Sequence, residues 1–299
     1  MDLNLKIDTV ENISGKHFRK YYFLPQKPVI IKGLINSTPA YHKWTMEYLK
    51  EKLGSTPVDV FDNSQKKNSA YTFGDLKMPF SEFIDILIRN EPTSYRLFLF
   101  NGFKHCKQLK KDFPCPEIFK GVLDHIGFMF FGSKGTRVRM HFDIDMSNVL
   151  HTQFIGKKRI LLISQEYNNL LYKTPLNTFS IADFDNPDYT KFPALKYVQG
   201  YDITLEYGDT LFMPEGYWHY MMYEESGFGV AYRKIAHSFD RQMQGLMNVT
   251  LKMWTDKAMN FIDAAAWNEY KERVAYKRAN ETLKGIKMLK ERLARTDNF

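Results

Sequence analysis

Between residues 126 and 236 the apolar positions come in short runs, each closed by a turn signal: "GFMFFGSKG", "RVRMHFDI", "NVLHTQFIGKKRILLIS", "DITLEYGD", "TLFMPEG", "HYMMYEE" and "FGVAYRK". Runs rich in β-branched and aromatic residues predict strands, and their spacing predicts an antiparallel sandwich or barrel rather than βαβ units. One insert, "NTFSIADFDNPDYTKFPAL", is rich in Asp, Asn and Pro and reads as a long surface loop. Residues 1–125 mix two patterns. "KPVIIKG" predicts a strand between Pro28 and Gly33, and "YRLFLFNG" a buried one. "TMEYLKEKLG" sets Met46, Leu49 and Leu53 at helical spacing with Gly54 as the stop. "PFSEFIDILIRNEP" repeats this, with Ser81 to cap, Phe83, Ile84, Leu87 and Ile88 as the face, and Pro92 to close.

The texture changes again near residue 240. Met243, Leu246, Met247, Trp254, Ala258, Phe261 and Ile262 suit one face of a helix. Trp267, Tyr270 and Val274, then Leu283, Ile286, Leu289 and Leu293, suit a second long helical stretch, and proline is absent there. The chain therefore divides into mixed α/β elements over 1–125, a β core over 126–239 and a helical region over 240–299. The apolar faces of that last region must be covered by their own domain or by a second copy.

Composition narrows the class without naming it. A chain of 299 residues can bury a full core, and no run of about 18 apolar residues exists to span a membrane. The start, "MDLNLKIDTVEN", lacks the basic-then-apolar order of a secretory signal, and the two cysteines, Cys106 and Cys115, predict reduced thiols in a cytoplasmic protein. The net charge of +8 permits an anionic partner such as RNA, but the basic residues are scattered and form no dense run.

Chemistry concentrates in "MHFDIDMSNVLHTQFIGKKR", residues 140–159. If the segment is extended, His141, Asp143 and Asp145 face one way. A second histidine, His219, follows in "GDTLFMPEGYWHY". Two imidazoles and a carboxylate make a facial triad that leaves adjacent coordination positions open, the arrangement non-haem Fe(II) uses to bind oxygen beside a substrate or cosubstrate. Asp145 lies where the strand gives way to a loop, and reads as solvated or as a neighbour of the metal rather than a ligand.

These motifs resemble the JmjC and cupin-like 2-oxoglutarate oxygenases, most closely the asparaginyl hydroxylases of the hypoxia response. The resemblance runs over roughly residues 25–235 and includes "PVIIKG", "PAYHKWTMEYLKEKLG", "MHFD", "IGKKRILL", "DFDNPDYTKFP" and "YGDTLFMPEGYWH". It implies a double-stranded β-helix of jelly-roll or cupin type whose mouth holds Fe(II), with a helical appendage that pairs two copies. It implies further that His141, Asp143 and His219 are the iron ligands and catalytic centre, and that Lys158 pairs with the far carboxylate of 2-oxoglutarate, O2 being the oxidant. The pattern departs at Phe98, Val138 and Arg233, where those hydroxylases carry Tyr, Thr and Asn, and the loop after Asp143 is two residues longer. Arg233, His151 and Tyr232 become candidates to assist Lys158. The function implied is hydroxylation of a protein side chain. The alternatives are an RNA hydroxylase, a metal-binding cupin-like protein with weakened or no 2-oxoglutarate turnover, and a dimeric scaffold built on the tail.

Overall fold

A computed structural model of the chain describes residues 1–62, 74–121, 123 and 126–296, the stretch 292–296 as backbone only. Thirteen strands appear among the described residues: β1 (Asp8–Glu11), β2 (Val29–Lys32), β3 (Pro57–Asp62), β4 (Leu76–Pro79), β5 (Tyr95–Phe100), β6 (Gly127–Gly132), β7 (Arg137–His141), β8 (Asn148–Ile155), β9 (Lys158–Ile163), β10 (Gly200–Leu205), β11 (Thr210–Met213), β12 (Trp218–Tyr223) and β13 (Gly227–Lys234). They form a nine-stranded sheet in the order β1-β2-β11-β8-β13-β6-β5-β3-β4 and a four-stranded sheet in the order β10-β9-β12-β7. From β6 to β13 the chain deals four strands to each sheet, with every pairing among them antiparallel. That is the predicted double-stranded β-helix.

Alternation along the strands builds the layers. Ile160 and Leu162 from β9 meet Val149, Leu211, Met213 and Ala231 of the larger sheet between the two sheets. The opposite-parity residues Leu150, Phe154, Phe212, Phe228 and Val230 point outward, under Phe18, Trp44, Leu49 and Phe83 of the N-terminal helices. The N-terminal strands thus widen the same sheet that forms half of the barrel. The run "NVLHTQFIGKKRILLIS" is two strands of different sheets, folded at Gly156, whose φ is +72°.

Several local expectations need correction. The helix Phe80–Ile88 begins before Ser81, which caps nothing. Its first amides are taken instead by the Thr56 and Gly54 carbonyls. In "YRLFLFNG" only Tyr95–Phe100 is strand, and within that strand only Arg96 and Leu97 are buried, because the register shifts before Phe100 and Leu99 turns to φ +53°. The "NTFSIADFDNPDYTKFPAL" loop carries no strand, yet it packs Phe184, Phe192 and Leu195 into a cluster with Tyr172 and Trp218. Cys106 and Cys115 are free thiols.

The tail forms a helix Phe239–Met247, a wider turn Asn248–Lys252 and a long helix Met253–Thr296 that breaks at Asp263. Asp263 leaves helical geometry and its carboxylate accepts from the Ala266 amide, so it caps the segment that follows. Trp267, Ala275, Ala279 and Leu283 of that segment are buried, and Tyr276 packs on Tyr172 and Phe192. The other apolar face stays open, with Leu251 and Trp254 each 62% and Phe261 93% exposed. The side chain of Leu293 lies outside the described residues. No helix among those residues is long and apolar enough to cross a membrane.

Candidate metal centre

His141 ends β7 and His219 sits in the adjacent β12, where the two are direct cross-strand partners with ring centroids 4.2 Å apart. Strict alternation would put Val138 and His141 on opposite faces. The register shows otherwise: β7 uses three steps, 141 to 138, where β12 uses two, 219 to 221. This bulge turns both Val138 and His141 into the barrel, where both line one cavity. Asp143 does not lie on a strand, contrary to the extended reading of residues 140–145. β7 stops at His141, and the Met146 amide bonds back to the Asp143 carbonyl to close a turn. The turn still delivers the carboxylate: ligand atoms of His141, Asp143 and His219 all fall within 4.8 Å of one another.

Hydrogen bonds fix the tautomers. Nδ1 of His141 is 2.8 Å from the Arg139 carbonyl and Nδ1 of His219 is 3.1 Å from that of Tyr217. A carbonyl only accepts, so each Nδ1 carries the proton and each Nε2 keeps its lone pair. Burial, with His219 as a like-charged neighbour, pushes the His141 pKa down to about 3. Burial also lowers that of His219. Both rings are neutral donors at physiological pH. Burial works to raise the Asp143 pKa, but the adjacent Arg233 guanidinium outweighs it and holds the carboxyl below the usual carboxylate range. Two neutral imidazole nitrogens and an ionised carboxylate suit a divalent transition metal.

Arg233 is at the end of β13. Its Nη2 donates to Asp143 Oδ1 (3.0 Å), and its Nη1 donates to both oxygens of Asp145 (3.0 Å each) and to Ser147 Oγ (3.1 Å). Asp145 is therefore neither a ligand nor free in solvent; it anchors this arginine. Tyr232, one residue earlier, faces the outer core and donates to the Phe113 carbonyl.

Beyond the triad the cavity is lined by Phe98, Phe130, Val138, His151, Met221 and Tyr223 among others, and encloses about 560 Å³ including its open mouth. The three positions that depart from the asparaginyl-hydroxylase pattern, Phe98, Val138 and Arg233, all line it. Lys158 is completely buried at its flank, with Nζ 3.1 Å from His151 Nε2 and 4.4 Å from the centre of the Tyr223 ring. No carboxylate pairs with it among the described residues, and burial pushes its pKa down to about 7. The His151 pKa is held well below the usual value by burial and by Lys158, so its neutral Nε2 accepts from the ammonium.

Two glycines make this packing possible. A Cβ at Gly229 would lie 2.6 Å from His151 Nε2, and one at Gly132 would lie 2.5 Å from the Tyr223 ring. Glycine inside a strand pattern is the sequence signal for such close approach, and it marks both positions. Phe179, from the long loop, stacks on His141 with centroids 5.4 Å apart. Nothing in the loop's composition separates that phenylalanine from its neighbours.

A jelly-roll of two four-strand sets with a His-x-Asp…His cluster at its mouth defines a cupin-like protein, and the family comparison agrees. The model of the cupin-like domain matches residues 15–261, and the chain belongs to that family. Among curated relatives, it is 30% identical over 241 residues to lysine-specific demethylase 8 of Xenopus tropicalis, an alignment covering 78% of this chain and 53% of that protein. It is 27% identical over 246 residues to tRNA wybutosine-synthesizing protein 5 of Homo sapiens, covering 76% and 77%. Lysine-specific demethylase JMJ30 of Arabidopsis thaliana is 30% identical over 233 residues, covering 72% and 52%. The chain thus spans about half the length of the demethylases and three quarters of the wybutosine-synthesizing protein. These relatives support the JmjC-type, cupin-like family; the closer likeness to the asparaginyl hydroxylases is not specifically supported by them.

Proposed function

We propose that this protein is an Fe(II)- and 2-oxoglutarate-dependent oxygenase that hydroxylates a protein side chain, with residues 126–239 as its core. The observation that carries the reading is the pairing of two features, one lining the cavity and one buried behind its wall. Three metal-competent atoms converge in the cavity, and a buried lysine with no carboxylate partner among the described residues lies behind the His151 and Tyr223 of its wall. His141 and His219 would each offer Nε2 and Asp143 one oxygen. Lys158 would take the far carboxylate of the cosubstrate through a charge-assisted hydrogen bond. His151 keeps the ammonium aimed, and Arg233 stands at the metal end of the same cosubstrate site. Phe98, Phe130, Val138 and Met221 would exclude water from the cosubstrate's methylene chain.

Iron bound there supplies the redox chemistry, and the overall reaction balances as 2-oxoglutarate, O2 and a C–H bond giving succinate, CO2 and a C–OH bond. The test is succinate formation from 2-oxoglutarate with Fe(II), first without and then with candidate substrates. His219→Ala serves as the inactive control. Absence of any cosubstrate turnover, with metal still bound, would favour the alternative of a metal-binding cupin-like protein.

RNA is the second substrate reading. Two observations favour it: a relative named for tRNA wybutosine synthesis aligns over most of its own length, and the chain carries a net charge of +8. A peptide pool and a tRNA pool, each tested for stimulated succinate release, separate the two. We further propose a cytoplasmic homodimer, joined through the open apolar face of the tail helices.

A further inference from the structure

Asp143 has two oxygens, and only one is at liberty. Oδ1 accepts from Arg233 Nη2 at 3.0 Å, whereas Oδ2 has no hydrogen-bond donor among the described residues. The arginine cannot drift from this position. Its other terminal nitrogen is forked onto both oxygens of Asp145, and it donates to Ser147 Oγ as well. Asp145 is itself pinned, because the amide and the hydroxyl of Ser147 both donate to its Oδ1, at 3.2 and 2.9 Å. The turn that carries these residues is braced from outside by the tail. Asn248 Nδ2 donates to the Ile144 carbonyl at 3.0 Å, and Gly245 packs so close to the Asp145 backbone that a Cβ would fall 2.3 Å from its carbonyl oxygen. The Arg233 side chain is 16% exposed and that of Asp143 15%, so solvent screens the pair poorly.

We infer that Arg233, anchored by Asp145 and Ser147, is a positioning residue that restricts Asp143 to binding the metal through one oxygen. This inference rests on the metal reading above and adds what that reading leaves open. A carboxylate can grip an ion with one oxygen or with both, and the second mode consumes a further coordination position. An N–H on Oδ1 occupies a lone pair, and the positive charge behind it disfavours a cation on that side. With single-oxygen ligation, three protein atoms leave three positions of an octahedral ion open, enough for a two-oxygen cosubstrate and a third ligand. Arginine suits this task better than lysine, because its planar fork reaches two carboxylates at fixed angles.

The experiment uses Mn(II) as the probe on the full chain. Bound metal is titrated by the loss of the free-ion paramagnetic resonance signal, and metal-bound waters are counted by water-proton relaxation. The wild type should hold one Mn(II) with three exchangeable waters. Arg233→Met should keep the metal but show two waters, the freed Oδ1 having taken the third place, and Arg233→Lys should restore three. Three waters in Arg233→Met, with Mn(II) bound, overturns the inference.

Asp145→Ala, which removes both acceptor oxygens, gives an independent reading should the methionine variant misfold. Deprived of its anchor, the guanidinium should close over both oxygens of Asp143 and weaken Mn(II) binding at least tenfold; unchanged affinity counts against the clamp. A wild type that takes up no more Mn(II) than His219→Ala overturns the metal reading itself, and the clamp with it.

Discussion

Lys158 is a buried lysine with no counter-ion among the described residues, and this gives it a measurable signature. Its pKa falls from 10.5 to about 7 because burial penalises the charged form. Between pH 7 and 10.5 the unfolded chain therefore binds more protons at this residue than the folded one. The group's contribution to stability accordingly rises with pH across that window, and its penalty is complete below 7. A bound carboxylate reverses the preference, since it pairs only with the ammonium. We expect the 2-oxoglutarate dissociation constant to increase above pH 7, by up to about tenfold per unit. Isothermal titration at pH 6.5, 7.5 and 8.5 measures this, and a flat profile would remove Lys158 from the cosubstrate site. Lys158→Ala should weaken binding at least tenfold, about 1.4 kcal/mol.

The His-x-Asp…His pattern stands out in the sequence by residue type and spacing, whereas Lys158, one of three consecutive basic residues, is singled out only by the family resemblance. The ties of Arg233 to Asp143, Asp145 and Ser147 were not legible, because they join residues some 90 positions apart through a turn whose path no local pattern encodes.

The strands were read correctly where short runs of β-branched and aromatic residues lie between turn signals, as in β11, β12 and β13, and wrongly where the backbone departs from regular pairing. The bulge in β7 inserts one residue, and period-two reasoning has no term for that. The Asp143 turn failed for a related reason: alternation through Phe142, Ile144 and Met146 mimics a strand, while the backbone bonds Phe142 to the Thr178 carbonyl and Met146 to Asp143. The cap assigned to Ser81 lost to carbonyls from a neighbouring segment, which are invisible in a local window.

Glycine inside a strand is the more useful signal, and Gly229 in β13 makes the case. Gly229→Ala would drive a methyl into the His151 ring, displacing the imidazole that aims Lys158. We expect a loss of about 1–3 kcal/mol in stability, typical of overpacking. Cosubstrate binding should weaken several-fold while metal affinity stays unchanged. Denaturant melts and paired titrations check both, and a simultaneous loss of metal would show that the two halves of the cavity are not separable.

For the whole molecule, the tail poses the main question. One face of its second segment lies against Tyr172 and Phe192, while Leu251, Trp254, Phe261 and Ile262 remain open to solvent. Monomers seldom leave such a patch uncovered, and pairing with the same face of a second copy would bury it. Light scattering should give twice 35.3 kDa at micromolar concentration. Trp254→Asp with Phe261→Asp should return it to the single mass, because charges at an apolar seam lose water without gaining partners. A single mass for the wild type would leave that face for another partner.

The pairing of His141 with His219 has one more consequence, for how the chain comes apart. These side chains are 78 positions apart in sequence yet share one rung between neighbouring strands. An ion seated between them would act as a cross-link that can be inserted and withdrawn, closing a loop that holds β8, β9, β10 and β11. Closing so long a loop removes conformational freedom from the unfolded chain only if the bridge survives unfolding, as a disulfide does. This one cannot survive, because its third anchor, Asp143, depends on the folded turn. Its grip must instead be broken before β7 and β12 can part, so metal should slow unfolding far more than it speeds refolding. The protein would then be hardest to unravel when loaded, and a chelator would act on it as a reducing agent acts on a disulfide-bonded one.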